Sequence, residues 1–62
     1  MIAIKISAQT RRTYDEATGI NVCWAWTCRQ FGNPGRRWQH DTQSTFMFRD
    51  EQDALLFALR WS

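Results

Sequence analysis

Apolar and polar residues alternate along three separate stretches of the chain, and a period of two is typical of β-strands that bury one face. The first stretch carries isoleucines at every second position of residues 2–7. The second, residues 21–29, alternates around two tryptophans, and the third, residues 45–49, alternates around two phenylalanines. We therefore predict three β-strands.

The segment 15–19 (Asp-Glu-Ala-Thr-Gly) between the first two stretches is typical of a tight hairpin turn. Gly19 supplies the positive φ angle that such a turn requires. If Tyr14 faces Ile20 across this turn, even-numbered residues of both strands lie on the same face. The sequence therefore predicts one apolar, even-numbered sheet face.

A second turn is predicted at Asn33-Pro34-Gly35, where Pro34 suits the second position of a type II turn and Gly35 the third. The strand that follows begins either near Arg37 or only near Gln43. The polar composition of this region leaves open whether residues 37–44 form strand or loop.

The period changes near the C-terminus. Asp50 is a good N-cap, and Glu51 and Asp53 place negative charge where a helix N-terminus favours it. We predict a helix of about three turns that starts from Asp50 and continues through residues 54–61. The expected fold is a single α+β domain over 1–62, a three-stranded antiparallel β-meander with one C-terminal helix packed on the even-numbered face (βββα). The predicted core consists of Ile2, Ile4, Ile6, Val22, Trp24, Trp26, Phe46, Phe48, Leu55, Phe57 and Leu59.

Length and charge restrict the function classes. A chain of 62 residues allows one small domain, which buries only about 60% of its surface on folding. The formal charge of +2 excludes an acidic DNA mimic but is too mild to establish a nucleic-acid partner. Seven of the eight basic residues are arginines, and this bias favours a binding surface because guanidinium groups recognise carboxylates, phosphates and aromatic rings.

Candidate catalytic and metal-binding groups are few. Cys23 and Cys28 match neither a redox pair nor a zinc half-site, so we expect free thiols in a reducing cytoplasm. His40 and Asp41 do not form a dyad by adjacency, because neighbouring strand residues point to opposite faces. We predict no enzyme, cofactor or metal site. The apolar run 54–59 is too short to span a membrane.

The C-terminal residues Phe46-Met47-Phe48, followed after four residues by Asp53-Ala54 and then by Phe57, Leu59, Arg60 and Trp61, carry a pattern F-x-F-x₄-D-A-x-x-F-x-L-R-W. This pattern resembles the C-termini of small uncharacterised proteins of tailed bacteriophages, over about a quarter of the chain. The resemblance implies a phage protein in the host cytoplasm, and favours a protein that binds and alters a host protein. It transfers no functional residue.

Basic residues fall at odd-numbered positions of the predicted strands and turns, on the sheet face away from the helix. We name this predicted surface the Arg-rich sheet face; it comprises Lys5, Arg11, Arg29, Arg37 and Arg49. An open antiparallel sheet also needs charges merely to solvate its free face. The alternatives are therefore a solvated face, a contact for an acidic protein patch, and a phosphate-binding surface.

Two further surfaces are candidates. Phe31, Arg36, Arg37 and Trp38 surround the second turn, and aromatic and arginine residues dominate the energetics of protein interfaces. Leu56 and Trp61 carry apolar surface beyond one helix face and are candidates for a homodimer interface. The expected function is binding and inhibition of a host protein through the Arg-rich sheet face and the 31–38 segment. The alternative is sequence-nonspecific nucleic-acid binding by the same basic face.

Overall fold

The computed structural model of the protein describes residues 1–41 and 44–61. The elements in chain order are β1 (Ile2–Lys5), α1 (Ala8–Arg11), α2 (Val22–Phe31), β2 (Trp38–His40), β3 (Thr45–Phe48) and α3 (Glu51–Trp61). The predicted α+β class is confirmed: three antiparallel strands form one open sheet, and the C-terminal helix packs on β1 and β3. The strand order is β1-β3-β2, so the strands do not follow one another in space as a meander requires.

The second predicted strand is wrong, because Val22–Phe31 forms the helix α2. Asn21 caps its N-terminus by accepting a hydrogen bond from the Trp24 N–H at 3.1 Å. The same side chain donates to three carbonyls of the 10–13 segment at 2.9–3.0 Å, which fixes the start of α2 against α1. Gly32 ends the helix with a φ of 85°. The two caps favour a helix between them, although the tryptophans of this segment favour strands by themselves.

The glycine predictions have mixed outcomes. Gly19 has a φ of 72° and closes a tight loop, in which its N–H donates to the Asp15 carbonyl at 2.7 Å. The loop joins α1 to α2, with Tyr14 facing Asn21, instead of joining two strands. Gly35 has no positive φ, so the predicted type II turn is wrong; the positive φ of this region belongs to Gly32.

The sheet separates even-numbered from odd-numbered residues, as predicted. Its rows are Ile2–Phe48–Trp38 and Ile4–Phe46–His40 on the side of the helices. The row Ala3–Met47–Gln39 lies on the opposite side. Residues 37–44, left open by the sequence, include β2; positions 42–43 of that range lie outside the described residues.

Aromatic rings fill the space between the sheet and the helices. The Trp24 ring of α2 lies 5.3 Å from Trp38 and 4.7 Å from His40, centroid to centroid. Trp26 contacts Phe57 of α3 at 6.2 Å, and Phe57 lies 5.0 Å from Phe46. Helix α2 therefore packs beside β2, whereas α3 packs over β1 and β3.

The predicted core is confirmed in part. Four of its members are buried and four more pack against them as half-buried side chains; these are Ile6, Phe46, Phe48 and Phe57, then Ile2, Ile4, Trp24 and Trp26. Val22 is also half-buried. Leu55 and Leu59 are exposed, so their assignment to the core is wrong. The core instead contains Cys23, Phe31, Trp38 and Ala54, which were not predicted.

The C-terminal helix begins where the sequence indicates. Asp50 accepts a hydrogen bond from the Gln52 N–H at 2.9 Å, and the Asp50 carbonyl accepts one from the Ala54 N–H at 3.1 Å. Glu51 and Asp53 occupy the first turn, and Arg60 the last, each at the end of the helix whose dipole it complements.

Candidate functional site

The aromatic residues of the 31–38 segment are buried in the chain itself. Trp38 has no exposed surface, and its Nε1–H donates to the Gly32 carbonyl at 2.8 Å. Phe31 packs edge-on against Phe48 with their centroids 5.4 Å apart. The expectation that Phe31 and Trp38 form an exposed contact is therefore wrong. Their rings lie on the aromatic core because α2, instead of a strand, precedes the turn.

Arg37 has a structural partner. Its Nε donates to Asp53 Oδ2 at 2.8 Å and its Nη2 to Asp53 Oδ1 at 3.2 Å, a two-point contact that joins the residue before β2 to α3. The guanidinium also lies 5.1 Å from the centroid of the Phe31 ring. The hydrogen bond to Asp53 raises the pKa of the Arg37 side chain above its ordinary value. Arg37 is thus engaged in joining two elements.

The Arg-rich sheet face does not form. The described odd-numbered strand residues form the outer side of the sheet. They are Ala3, Gln39, Thr45 and Met47, with Lys5 as the basic member. The remaining residues assigned to that face are distributed elsewhere: Arg11 ends α1, Arg29 lies in the last turn of α2, Arg37 precedes β2 and Arg49 follows β3. The prediction failed because Arg11 and Arg29 were assigned to strands, whereas both lie in helices.

A cleft of about 710 Å³ lies where β2 begins and β3 ends. Three arginines and three carboxylates line it together with Ile2, namely Arg36, Arg37, Arg49, Asp50, Glu51 and Asp53. The positive charges are balanced by the negative ones, and a site for a phosphate group would need a surplus of positive charge. This mixed-charge cleft suits the polar rim of a protein contact better.

The outer side of α3 carries a continuous apolar surface that the sequence did not single out as a whole. Leu55, Leu56 and Leu59 are exposed to 61%, 40% and 78% of their accessible area. We name these three residues the leucine surface. Residues three and four apart on a helix are neighbours, so the Leu59 side chain adjoins both Leu55 and Leu56. The helix buries its other side through Asp53, Ala54 and Phe57.

Of the two residues predicted for a homodimer interface, only Leu56 belongs to this surface. Trp61 is half-buried, and its ring packs edge-on against Trp26 with a centroid separation of 6.0 Å. The Arg60 guanidinium covers it at 4.1 Å from its centroid. Trp61 thus belongs to the inner packing of α3. A helical projection of residues 53–61 reveals this, because Ala54, Phe57 and Trp61 follow the i, i+3, i+7 spacing of a single face.

The two cysteine thiols are the nucleophiles that the sequence offers, and burial affects the ionisation of both. Burial raises the pKa of the Cys23 thiol to about 11, although a hydrogen bond with Thr27 opposes the shift. Burial also raises the pKa of Cys28. Both thiols are free, as predicted, and both are protonated at neutral pH, whereas a nucleophilic cysteine needs the thiolate. The His40 ring packs edge-on against Trp24.

Residues 1–41 and 44–61 offer neither a metal site nor a membrane-spanning helix. These residues contain no cluster of three or more histidine, cysteine, aspartate or glutamate side chains able to hold a metal ion. None of their helices has the length and apolar character needed to cross a membrane.

The sequence and the structure were compared with known proteins. No protein-family model, no curated protein and no solved structure matches the chain.

Proposed function

We propose that this chain is a small non-enzymatic binding protein that contacts another protein through the leucine surface of α3. The observation that carries the proposal is the exposure of three adjoining leucines on one helix. Removing a leucine side chain from water contributes about 1.5–3 kcal/mol. A contiguous apolar patch with a polar border is the usual mark of a protein contact, whereas isolated exposed leucines are common everywhere.

The polar and charged residues next to this surface supply its polar border. Glu51 and Gln52 lie at the N-terminal end of α3, and Glu51 also lines the mixed-charge cleft. Arg36 and Arg49 lie on the same cleft. Charges at the border of a contact orient the partner and select against wrong ones more than they add affinity. We therefore assign the leucines to affinity and the cleft arginines to selection of the partner.

Three parts of this proposal rest on the phage resemblance of the C-terminal segment: that the partner is a protein of a bacterial host, that binding inhibits it, and that the setting is the host cytoplasm. No relative was found that bears on them. They stay predictions, and the partner is defined by its chemistry as a protein with an apolar groove bordered by charges of both signs.

Nucleic acid remains the second candidate partner. Binding to phosphates needs several cations on one surface, and affinity then falls steeply as salt rises. The basic residues of the described chain are instead spread over the sheet, the end of α1, the last turns of α2 and α3, and the cleft. An apolar contact keeps its affinity when salt rises, so salt dependence separates the two partners.

The test is affinity capture from a bacterial lysate with the tagged chain, at low and at physiological salt, with and without nuclease. We expect one stoichiometric protein that is retained at both salt concentrations and is insensitive to nuclease. The double variant Leu55→Ser/Leu59→Ser should lose it. The matched control, Tyr14→Ser/Ile20→Ser, changes two exposed apolar residues of the loop before α2 and should retain it.

Loss of all captured material on nuclease treatment would indicate that the chain binds nucleic acid instead of a protein. Equal capture by both double variants would remove the leucine surface from consideration. The contribution of charge is tested with Arg36→Glu/Arg49→Glu. Arg37 is unsuitable for this purpose, because its replacement also breaks the contact with Asp53 and perturbs the fold.

A further inference from the structure

The mixed-charge cleft contains charged side chains that no contact within the described chain engages. Arg37 and Asp53 bind each other, and the Asp50 carboxylate accepts a hydrogen bond at the start of α3. The remaining charged side chains of the cleft form no hydrogen bond or ion pair with a described residue; they are Arg36, Arg49 and Glu51. The cleft therefore offers two cations and one anion to a partner.

Two unpaired guanidinium groups on one cleft favour a carboxylate as their ligand. A guanidinium group presents its N–H donors in a planar fork that matches the two oxygens of a carboxylate. A ligand with a higher negative charge fits less well, because Asp50 and Glu51 on the same cleft repel it. A single acidic side chain suits this cleft better than a chain of phosphates does.

The cleft continues into the leucine surface through one residue. Glu51 lines both the cleft and a neighbouring hollow of about 280 Å³, whose other lining residues are Gln52 and Leu55. Glu51, Leu55 and Leu59 follow one another four positions apart, so they form a row along the outer side of α3. A partner segment that reaches the cleft is therefore able to contact the leucines as well.

The spacing of this row matches the spacing of side chains on an extended chain. Four residues of an α-helix rise about 6 Å. Two residues of an extended chain rise about 6.6 Å, and side chains two positions apart point to the same side. An extended segment laid along α3 thus places one side chain at the cleft and the next two on that side at Leu55 and Leu59.

We infer that the partner contacts this chain through an extended segment in which an acidic residue and two apolar residues stand two positions apart. The carboxylate binds Arg36 and Arg49, and the apolar side chains cover Leu55 and Leu59. Recognition of an acidic motif by arginines is a recurrent mode of peptide binding. The inference rests on the proposed protein-binding function and names the chemistry of one border of the partner's groove.

The test is fluorescence anisotropy with the full chain and labelled synthetic peptides. The Glu peptides are Ser-Glu-Thr-Leu-Thr-Leu-Ser and the same residues in reverse order, and the Gln peptides carry Gln in place of Glu. We expect one Glu peptide to bind and its Gln counterpart to bind about tenfold more weakly, the loss expected for a charged hydrogen bond. Exchanging Glu with the adjacent Thr breaks the two-residue spacing and should weaken binding to a similar extent.

The pairing of the carboxylate with the cleft is tested by combining protein and peptide changes. Arg36→Gln/Arg49→Gln should lower the affinity for the Glu peptide about tenfold and leave the affinity for the Gln peptide unchanged. Lys5→Gln/Arg29→Gln is the matched control, because it removes the same charge from exposed residues outside the cleft. This control should bind both peptides as the unchanged protein does.

Nuclear magnetic resonance of the unchanged protein keeps the inference falsifiable if a variant fails to fold. The Glu peptide should shift the amide signals of the cleft and of α3, those of Arg36, Arg49 and Leu55 above all. Equal affinity for the Glu and Gln peptides, no binding in either order, or shifts confined to residues outside the cleft and α3 overturn the inference.

Failure of this inference and failure of the proposed function give different results. If no peptide binds but Leu55→Ser/Leu59→Ser loses the protein captured from the lysate, the inference is wrong and the proposed function stands. If this leucine variant keeps the captured protein and binds the peptides as the unchanged chain does, both are wrong. The expected result is that the leucine variant loses the captured protein and binds both peptides more weakly.

Discussion

Replacing Trp38 with phenylalanine tests whether this residue is a buried core residue, as in the structure, or an exposed contact residue, as the sequence predicts. The indole is fully buried, and its N–H donates to the Gly32 carbonyl. Trp38→Phe removes that hydrogen bond, whose loss costs about 1 kcal/mol, and leaves the carbonyl without its donor. It also removes part of a buried ring, for which we assign about 1 kcal/mol more, well below the 3–5 kcal/mol of a complete truncation to alanine.

The expected loss in the free energy of unfolding is therefore about 2 kcal/mol, and for a domain of this size the melting temperature falls by roughly 8–16 °C. An exposed contact residue would behave differently, because surface substitutions usually change stability by less than about 0.5 kcal/mol. The assay is urea unfolding followed by far-ultraviolet circular dichroism, which does not depend on the removed fluorophore. Protein concentration must be fixed, because self-association changes the apparent stability.

Trp61→Phe is the matched control. Among the described residues, no acceptor lies within hydrogen-bonding distance of the buried Trp61 Nε1. Removing an unpartnered buried donor recovers about 1–3 kcal/mol, which offsets the packing that is lost. We expect Trp61→Phe to lie within about 1 kcal/mol of the unchanged protein. If Trp38→Phe is no more destabilising than Trp61→Phe, the reasoning from the Gly32 hydrogen bond is refuted.

Three further outcomes follow from the structure. Gly32→Ala forces a side chain into positive φ and should cost about 1–3 kcal/mol in urea unfolding, whereas Gly35→Ala, at an ordinary φ, should cost little. The free energy of unfolding should fall as pH rises from 9 toward 11, because the unfolded chain releases the Cys23 proton at a lower pH than the folded chain does. The variant Cys23→Ala should show a smaller decline over that range. An equal decline in both proteins would contradict the raised pKa of the Cys23 thiol. Asp53→Asn removes the charge that holds Arg37 and should lower the melting temperature, less so at high salt; an unchanged melting temperature at both salt concentrations would contradict this role.

The sequence allowed prediction of those elements whose local signals agree with their surroundings. Strands β1 and β3 alternate and bury one face, and Asp50 both precedes and caps α3. The helix α2 was missed because its residues alternate and favour strands, although its helical signals were present. Asn21 and Gly32 bracket it, and Cys23, Thr27 and Phe31 are four residues apart.

The candidate site was harder to predict from the sequence, because tertiary contacts determine which side chains are paired and which are exposed. The ion pair of Arg37 with Asp53 joins residues that are 16 positions apart in the sequence, and no local sequence pattern indicates this pairing. The apolar residues of α3 form two stripes, one with Phe57 and one with Leu59, and only the position of the sheet decides which is buried. The exposure of the leucine surface therefore appeared only with the fold.

The position of β3 in the centre of the sheet has a consequence for how the chain acquires its structure. Strand β1 is synthesised first, but its partner in the sheet is β3. The pairing of Ile4 with Phe46 therefore cannot form until about 40 further residues have been synthesised. Contacts this distant in sequence close slowly, because the intervening chain must first lose its freedom. A C-terminal truncation before β3 leaves β1 and β2 without a common neighbour, so we expect it to abolish the sheet as a unit.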